Sequence, residues 1–398
     1  MTETETETAL VDFPLRQPGQ SFPPESYAGY RQQDRLVRSK LLNGAIVWLV
    51  SRHEDVRAVL SDPRISSNPT HQGFPNAQRT GGVPSTDEVP GWFVALDPPD
   101  HTRFRKALIP EFTVRRVRDM TAAVQGIVDD RIDAMLAAGD TADLVSDLAL
   151  PVPSLVISSL LGVPRVDRDF FEAKTRVLVT MSSTDAQREK AAGDLLRYLT
   201  RLIAIKRRRP GDDLLSRMLA NGDMTPEEMS GVGMLLLIAG HETTANNISL
   251  GVLTLLQNAE WIGDPRVVEE MLRFCSVADL VALRVAVRDV EIGGQLIKAG
   301  EGIVPLVASA NHDAAVFAHP ERFDPGRPAH GHVAFGYGVH QCLGQNLVRL
   351  EMDVLCRTLF TRIPTLELAV PVEDLPYKYD GVLYGLHALP VRWQRDTP

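Results

Sequence analysis

Cysteine is scarce in this chain, which has three cysteines among its 398 residues. So few thiols cannot form a disulfide framework, and their scarcity agrees with a reducing compartment. The sequence begins MTETETETALVDFPLR, which has neither the basic start nor the apolar stretch of a signal peptide or membrane anchor. We therefore expect a soluble, cytoplasmic protein that has no membrane partner.

Positive charge is also limited, because 42 Lys and Arg face 51 Asp and Glu, for a net charge of -9. Binding to phosphate backbones requires a basic surface, so this balance argues against nucleic acid as a partner. Apart from the N-terminal alternation of Thr and Glu, the sequence shows no internal repeat. A hydrophobic content of 44% permits a large core, and the length alone would allow two or three domains.

One cysteine stands in an unusual setting. The sequence FGYGVHQCLG, residues 335–344, places Cys342 after a glycine-containing loop and before a run with helical spacing. Free backbone N–H groups at a helix N-terminus favour a thiolate, which can hold a metal or a cofactor. Gly336, Gly338 and Gly344 remove side chains from the loop, which predicts close approach by a large, flat group.

The other two cysteines, Cys275 and Cys356, lie in apolar helical patterns without glycines, and we interpret them as small buried hydrophobic residues. A zinc site is an alternative, because four residues offer nitrogen and sulfur ligands: His330, His332, His340 and Cys342. Structural zinc usually takes closely spaced ligand pairs and needs no glycine-lined platform. We therefore favour a cofactor at Cys342.

Residues 229–257 form one long helical pattern whose start is marked by a capping box at Thr225. The centre of so long a helix should be buried, yet it carries the polar sequence AGHETT, residues 239–244. Buried polar groups are costly without partners or a task. The Thr243 hydroxyl can bond to the carbonyl four residues earlier and widen the helix into a pocket.

The cysteine loop resembles the cysteine-ligand signature of the cytochrome P450 superfamily. Three further stretches match motifs of that family in order along the chain: residues 97–105, 239–244 and 270–273, followed by PERF at 320–323. From about residue 23 onward, the chain is identified as a member of the soluble bacterial, actinomycete-type haem-thiolate monooxygenases. The resemblance implies haem b, protoporphyrin IX iron, with Cys342 as the metal ligand.

The resemblance also assigns the other site residues. Glu242 and Thr243 would relay protons to dioxygen on the distal side. His101 and Arg105, four apart on one helix face, would bind one haem propionate, and Arg284 with His340 the other. The cofactor-binding set that follows is His101, Arg105, Ala239, Arg284, Phe335, Gly336, His340, Cys342 and Gly344.

A buried charge network behind the cysteine loop is implied as well, formed by Glu270, Arg273 and Arg322. We assign this trio a structural role, because breaking one member of a buried network costs ~3–5 kcal/mol. One departure from the family is His312, where arginine is frequent. Another is the link at residues 257–268, which is shorter than usual.

The substrate pocket is expected along residues 277–283 and 382–386, with Val281, Ala282, Val382 and Leu383 as lining residues. These segments are mainly apolar and favour a bulky apolar organic substrate, with Asp279 and Tyr384 as orienting groups. Two polar, loop-like stretches, residues 67–92 and 182–187, border the substrate channel in the family. We expect them to act as lids.

The chain shows no flavin or nicotinamide module, so electrons must come from another protein. Basic residues cluster near the helix that should cover the proximal side of the haem: Arg103, Lys106, Arg115, Arg116 and Arg118, with Arg349 one helix away. We expect this face to dock an acidic ferredoxin.

The predicted fold is mainly α with a small β portion, a single cytochrome P450 domain over residues 1–398 with a long central helix over the haem and a flexible segment at about 1–22. Helices are predicted at 53–60, 114–138, 151–161, 195–208, 229–257, 265–274 and 343–360. Strands are predicted at 45–51 and around 285–297, where Gly293 and Gly294 form a two-residue hairpin turn.

The predicted activity is insertion of one oxygen atom from O2 into a C–H bond, in secondary metabolism or xenobiotic oxidation. Oxidative coupling, epoxidation or cyclisation on the same haem remain open alternatives. A non-catalytic haem-binding recruitment or sensor protein is the rival from another class. The presence of both Glu242 and Thr243 disfavours it, because a pure binder has no need of a proton relay.

Overall fold

Helices make up most of the structure. The computed structural model describes residues 10–13, 22–41, 44–75, 86–179, 183–379 and 383–394. The α-helices within these ranges are α1 Ser26–Arg31, α2 His53–Ser61, α3 Asp100–Leu108, α4 Val114–Asp119, α5 Thr121–Ala138, α6 Pro151–Leu161, α7 Arg168–Val179, α8 Asp185–Arg208, α9 Leu214–Asn221, α10 Pro226–Gln257, α11 Val267–Cys275, α12 Val307–Asn311 and α13 Gln345–Arg362. The mainly α prediction is confirmed.

The strands are short. In the described ranges they are β1 Leu10–Asp12, β2 Val37–Lys40, β3 Ile46–Val50, β4 Ile65–Ser66, β5 Thr141–Asp143, β6 Arg284–Ala286, β7 Val290–Ile292, β8 Gln295–Ile297, β9 Gly302–Pro305, β10 Glu367–Leu368 and β11 Pro390–Arg392. They form a six-stranded sheet ordered β1-β2-β3-β9-β6-β4, a three-stranded sheet ordered β10-β11-β5, and the β7-β8 hairpin. Gly293 and Gly294 turn that hairpin with φ of 55° and 72°, so the predicted two-residue turn is confirmed.

The long central helix α10 begins where the sequence predicted. The Thr225 side chain accepts from the N–H of Glu228, and the Glu228 carboxylate accepts from the N–H of Thr225, which completes the capping box. At 1.5 Å per residue, the 32 residues of α10 extend about 48 Å. The helix packs against α6, α8, α11 and α13, and most of its residues between Met229 and Leu255 are buried.

Two local predictions differ from the structure. The helix predicted at 114–138 is two helices, α4 and α5, that meet at Met120. The loop predicted at 182–187 contains the start of α8, because Thr184 forms a capping box with Gln187. The first turns of α8 are almost entirely polar, so apolar periodicity could not reveal them. Residues 76–85 and 182 lie outside the described residues, while 67–75 and 86–92 are irregular, as predicted.

A continuous apolar core holds these elements together. Its largest cluster contains buried residues from Trp92 to Trp393, and two smaller clusters pack on the sheet. None of the described helices has the length and apolarity that a membrane span requires.

Candidate active site

Cys342 lies in a tight turn that closes just before α13. Its backbone N–H donates to the carbonyl oxygen of Phe335 at 2.8 Å. Gly336 and Gly338 have φ of 69° and 72°, in the left-handed region that favours glycine. Because α13 begins at Gln345, Cys342 stands next to a helix N-terminus, as predicted.

The glycines of this loop serve two different purposes. A Cβ at Gly338 would lie 2.5 Å from the carbonyl oxygen of Leu60, so the close approach there is made by the end of α2 and not by a ligand. A Cβ at Gly336 or Gly344 would meet no atom within 4 Å. Only these two glycines open onto space that a flat group could use.

The surroundings of the Cys342 thiol act on its pKa in both directions. Burial raises its pKa above the ordinary value, and the N–H of Gly344 and the charges of Arg105 and Arg349 oppose this only in part. The N–H of Gly344, next to the start of α13, acts in the predicted direction, but burial is the larger effect. A bound metal cation would have to supply the missing stabilisation.

The other cysteines behave as predicted. Cys275 and Cys356 are buried in the apolar core, and burial raises the pKa of each thiol to about 12.

Four basic residues from three parts of the chain meet beside the cysteine loop. The ring centroids of His101, on α3, and His340 are 4.1 Å apart. Arg105 lies one turn after His101 and donates to the carbonyl oxygen of Gln341. Arg284, at the start of β6, is close enough for its charge to lower the pKa of both histidines. The predicted propionate-binding residues are thus brought together.

Burial disfavours the positive charge of this cluster, which has too little negative charge around it. It lowers the pKa of His101 to about 4 and that of His340 to about 2, with nearby positive charges as the next cause. Burial also lowers the pKa of Arg284 to about 10. His101 is 1% exposed, and neither of its ring nitrogens has a hydrogen-bond partner among the described residues.

Asp97 is the carboxylate whose charge opposes the pKa shifts of His101 and Arg284. It accepts hydrogen bonds from the Ser66 hydroxyl and from the N–H of Ser67 at 3.0 Å. The Ser67 hydroxyl lies 3.0 Å from Nε2 of His340, which links Asp97 to the cluster. One carboxylate cannot accept from all the donors of two guanidinium groups and two histidines, so donors remain for a further anion. The residues present therefore fit the two propionates of a haem next to Cys342.

A stripe of small and polar residues on α10 forms the distal side. The Thr243 hydroxyl donates to the carbonyl oxygen of Ala239 at 2.6 Å, as predicted, and Asn247 Nδ2 donates to the carbonyl oxygen of Thr243 at 2.9 Å. Ala239 is exposed in the middle of an otherwise buried helix. The helix is continuous through this turn.

Glu242 has a partner that the sequence motifs did not identify. Nζ of Lys378 lies 2.9 Å from Oε1 of Glu242 and 3.0 Å from Oδ1 of Asn246. A lysine between apolar and aromatic residues, as in LPYKYDG, was the available signal. Its partner could not be read from sequence, because it lies 136 residues away.

The zinc alternative has no structural support within the described ranges. No group of three or more His, Cys, Asp or Glu residues there is placed to hold a metal ion. His330 is exposed, and Nε2 of His332 lies 3.2 Å from Oε2 of Glu269.

Comparison with known proteins decides the family. Residues 265–381 match the family model for cytochrome P450. Cytochrome P450-SU2 of Streptomyces griseolus is 43% identical over 95% of this chain and 96% of its own. Vitamin D3 dihydroxylase of the same organism is 44% identical over 99% and 100%. The crystal structure of cytochrome P450 MoxA from Nonomuraea recticatena superposes with a TM-score of 0.92 at 43% identity, over 98% and 100% of the two chains.

The chain belongs to the cytochrome P450 family. It is a P450 monooxygenase, as the sequence predicted, and the family implies a haem-thiolate iron cofactor.

The buried charge network of this P450 differs from the predicted one in its third member. Glu270 and Arg273 have fully buried side chains and join through Nε–Oε2 and Nη2–Oε1 hydrogen bonds of 2.8 and 2.7 Å. Nε of Arg327, whose side chain is 7% exposed, lies 2.9 Å from Oε1 of Glu270. Arg322 has a 75% exposed side chain and contributes only its carbonyl oxygen, which accepts from Arg273. The turn points the side chain of Arg322 outward, so assigning it to the network was wrong.

The predicted substrate pocket is only partly described. Val281 is 49% exposed, Ala282 and Leu383 are partly buried, and Val382 lies outside the described residues. Asp279 is unsuited to orienting a substrate, because it is 1% exposed and accepts from the Tyr27 hydroxyl and the N–H of Ala308, both at 2.7 Å.

The basic residues predicted to form a docking face divide into two groups. Arg103 pairs with Glu228, Arg116 with Asp212, and Arg349 with Glu269. The remaining three are exposed and have no ion pair within the described part of the chain: Lys106, Arg115 and Arg118. These three are the free positive charges of the face.

Proposed function

We propose that this P450 monooxygenase binds haem b and uses it to insert one oxygen atom from O2 into a C–H bond of a bulky, largely apolar small molecule. The observation that carries the proposal is the cluster of His101, Arg105, Arg284 and His340 beside Cys342. These groups have too little negative charge around them to balance their positive charge. They lie beside the free thiol of Cys342 in the cysteine loop. A haem has both the iron that the sulfur requires and the carboxylates that the cluster requires.

Each side chain then has a defined task. Cys342 would hold the iron, and the cationic cluster would hold the propionates through charge-assisted hydrogen bonds. When bound, the haem supplies the reduction of dioxygen by two electrons and the oxidation of the substrate. Gly336 and Gly344 leave room for the macrocycle on the loop side, and Ala239 does so on the α10 side.

The polar stripe of α10 would manage protons and water. The Thr243 hydroxyl donates to the Ala239 carbonyl, which leaves its oxygen lone pairs free to accept a hydrogen bond from a water or from the reacting oxygen. Glu242, one residue earlier, carries the carboxylate that would bring protons from outside the pocket. Both residues lie in the interior part of α10, where a carboxylate without a task would be costly.

The substrate class rests on pocket chemistry and on named relatives. Leu383 and Ala282 are apolar and partly buried, and Val281 adds an exposed apolar side chain. Relatives of this chain are named for vitamin D3, pentalenic acid and a mycaminosyltylactone. A related structure of 40% identity contains mycinamicin VIII. These molecules favour a terpenoid, sterol-like or macrolide substrate.

We assign the electron donor to an acidic ferredoxin. The chain carries no flavin or nicotinamide module in its matched length. The free charge of Lys106 lies on α3 with His101 and Arg105, and those of Arg115 and Arg118 lie on α4. Complementary charge accelerates the encounter of two proteins, which suits a transient donor.

Two measurements test the proposal. A pyridine haemochrome spectrum of the purified enzyme should identify haem b, and extraction should remove it because no covalent link is expected. A panel of vitamin D3, pentalenic acid and macrolides should then be screened for the low-spin to high-spin Soret shift. At least one class should give a saturable shift and a hydroxylated product. A different haem, or products other than oxygen insertion, would contradict the proposal.

A further inference from the structure

Lys378 makes an internal ion pair with the acid of the oxygen-side helix. Its Nζ lies 2.9 Å from Oε1 of Glu242 and 3.0 Å from Oδ1 of Asn246. The side chains of Lys378 and Glu242 are 14% and 15% exposed, and Asn246 is 2% exposed. Two charges this far from water are stable only when they are paired and hydrogen-bonded. The ion pair of Lys378 and Glu242 is therefore part of the protein interior and not a surface contact.

The pair holds the acid on one particular side of α10. Glu242 and Asn246 are four residues apart and share a face, and Lys378 bridges them. Ala239, Thr243 and Asn247 form the neighbouring stripe, which is linked by its own hydrogen bonds. Because successive helical residues are about 100° apart, the carboxylate held by Lys378 is turned away from the Thr243 stripe.

Lys378 belongs to what we call the C-terminal ladder, residues 377–379 and 383–386. Its N–H donates to the carbonyl oxygen of Gly385 at 2.9 Å, and Tyr377 pairs with Leu386 across the ladder. Gly385 is packed so closely on α10 that a Cβ there would lie 2.0 Å from Oδ1 of Asn246. The same ladder carries Leu383, a proposed pocket residue. A backbone hydrogen bond therefore joins Lys378 directly to the segment that carries Leu383.

We propose that Lys378 is a positioning residue for Glu242, and that it couples occupation of the pocket beside Leu383 to proton supply. The proposal rests on the proposed relay role of Glu242. With the ladder in place, Lys378 fixes the carboxylate on the ladder side. A ligand that displaces the ladder releases the carboxylate toward the Thr243 stripe. Lys378 itself transfers no proton and touches neither substrate nor haem.

Variants of the pair separate this role from a purely structural one. The test uses the haem-loaded enzyme in air with spinach ferredoxin, its reductase and NADPH, without substrate. One NADPH supplies the two electrons that, with two protons, convert dioxygen to hydrogen peroxide. Glu242→Gln should slow NADPH oxidation by ~10²-fold, whereas Lys378→Met, which releases the carboxylate without a ligand, should accelerate it on the order of tenfold. The double variant should match Glu242→Gln alone, because Lys378 acts through Glu242. Lys378→Arg should restore the rate.

A second readout does not depend on turnover. Amide hydrogen exchange of residues 383–390 should increase in Lys378→Met and in Glu242→Gln, and should stay at the wild-type level in Lys378→Arg. In the wild type, 4-phenylimidazole as a pocket probe should increase the same exchange, and in Lys378→Met it should add nothing. Lys298→Met, at an exposed lysine 3.7 Å from Asp289, is the matched control and should change neither readout.

The outcomes are distinct. If Glu242→Gln is slow but Lys378→Met has the wild-type rate and exchange, the positioning role is overturned while the relay stands. If Glu242→Gln has the wild-type rate, the relay fails, and the role of Lys378 fails with it. An acceleration by Lys378→Met that persists in the Glu242→Gln background would also overturn the proposal. The rate of haem reduction under carbon monoxide should be the same in all variants, which ties any change in the rate of NADPH oxidation to the proton step.

Discussion

Nε of Arg327 lies 2.9 Å from Oε1 of Glu270, in the place that the sequence motif gave to Arg322. Arg327→Ala would leave the Glu270 carboxylate with one guanidinium instead of two in a fully buried site. We expect a loss of ~3–5 kcal/mol in unfolding free energy and a lower haem content. Denaturant unfolding and the haem-to-protein ratio measure these effects.

Arg322→Ala is the matched control, because the Arg322 side chain is 75% exposed and its carbonyl oxygen survives the substitution. We expect a change within ~0.5 kcal/mol. Equal losses in the two variants would mean that the network is not what stabilises this region.

His312 should make stability depend on pH. Burial, followed by the charge of Arg273, lowers the pKa of His312 to about 3, and its Nδ1 lies 2.9 Å from the carbonyl oxygen of Ala308. In the unfolded chain the pKa is about 6.5, so between these values the unfolded state binds more protons. The contribution is therefore complete above about pH 6.5 and is lost as the pH falls toward 3, with ~5 kcal/mol as its upper limit.

The measurement is the unfolding free energy from pH 7 down to pH 4.5 for the wild type and for His312→Gln. The substitution should flatten the curve in this range. His319→Gln, at an exposed histidine, should leave the slope unchanged. A wild-type slope in His312→Gln would show that other groups cause the acid sensitivity.

Loss of the Thr243 hydroxyl should uncouple electron use from product formation. Thr243→Ala removes both the hydrogen bond to the Ala239 carbonyl and the acceptor oxygen beside it. We expect more peroxide per NADPH consumed, on the order of tenfold, with the helix intact. Peroxide and product are measured together with a compound that gives the Soret shift. Thr243→Ser keeps the hydroxyl and should stay coupled, whereas tight coupling in Thr243→Ala would remove this residue from the mechanism.

The free charges of the docking face should control reduction by ferredoxin. Replacing Lys106, Arg115 and Arg118 together by Ala should slow that reduction about tenfold at low salt, because long-range attraction is lost. Reduction by dithionite should be unchanged. Stopped-flow traces under carbon monoxide report both rates.

The matched control is the double variant Arg103→Ala and Arg116→Ala, since these side chains are already neutralised by Glu228 and Asp212. Its effect should be smaller. If this double variant is the slower of the two, the docking face lies elsewhere.

Local features of this protein were predictable from sequence because their causes are local. The cap at Thr225 depends on a residue three positions away, and the hairpin at Gly293 depends on two adjacent glycines. The Cys342 turn has the same character. Fixed spacing and backbone chemistry were sufficient in each case.

Relationships between distant segments were not predictable in the same way. Whether Arg322 or Arg327 enters the network depends on how one turn rotates, and both carry the same charge. The sequence suggested Asp279 as a residue that orients the substrate. In the structure, its carboxylate accepts a hydrogen bond from Tyr27, which is 252 residues away. The contact between Lys378 and Glu242 joins two residues whose separation in the sequence follows no spacing rule. Tertiary packing decided these positions.

The most direct test of the account is the carbon monoxide spectrum of the dithionite-reduced protein, because it reports the ligand opposite the bound gas. The wild type, Cys275→Ser and Cys356→Ser should all show the absorption band of a thiolate-ligated haem. Cys342→Ser should lose that band and with it the oxygenase activity. Survival of the band in Cys342→Ser, or failure of the wild type to bind haem at all, would contradict the assignment of Cys342 as the iron ligand.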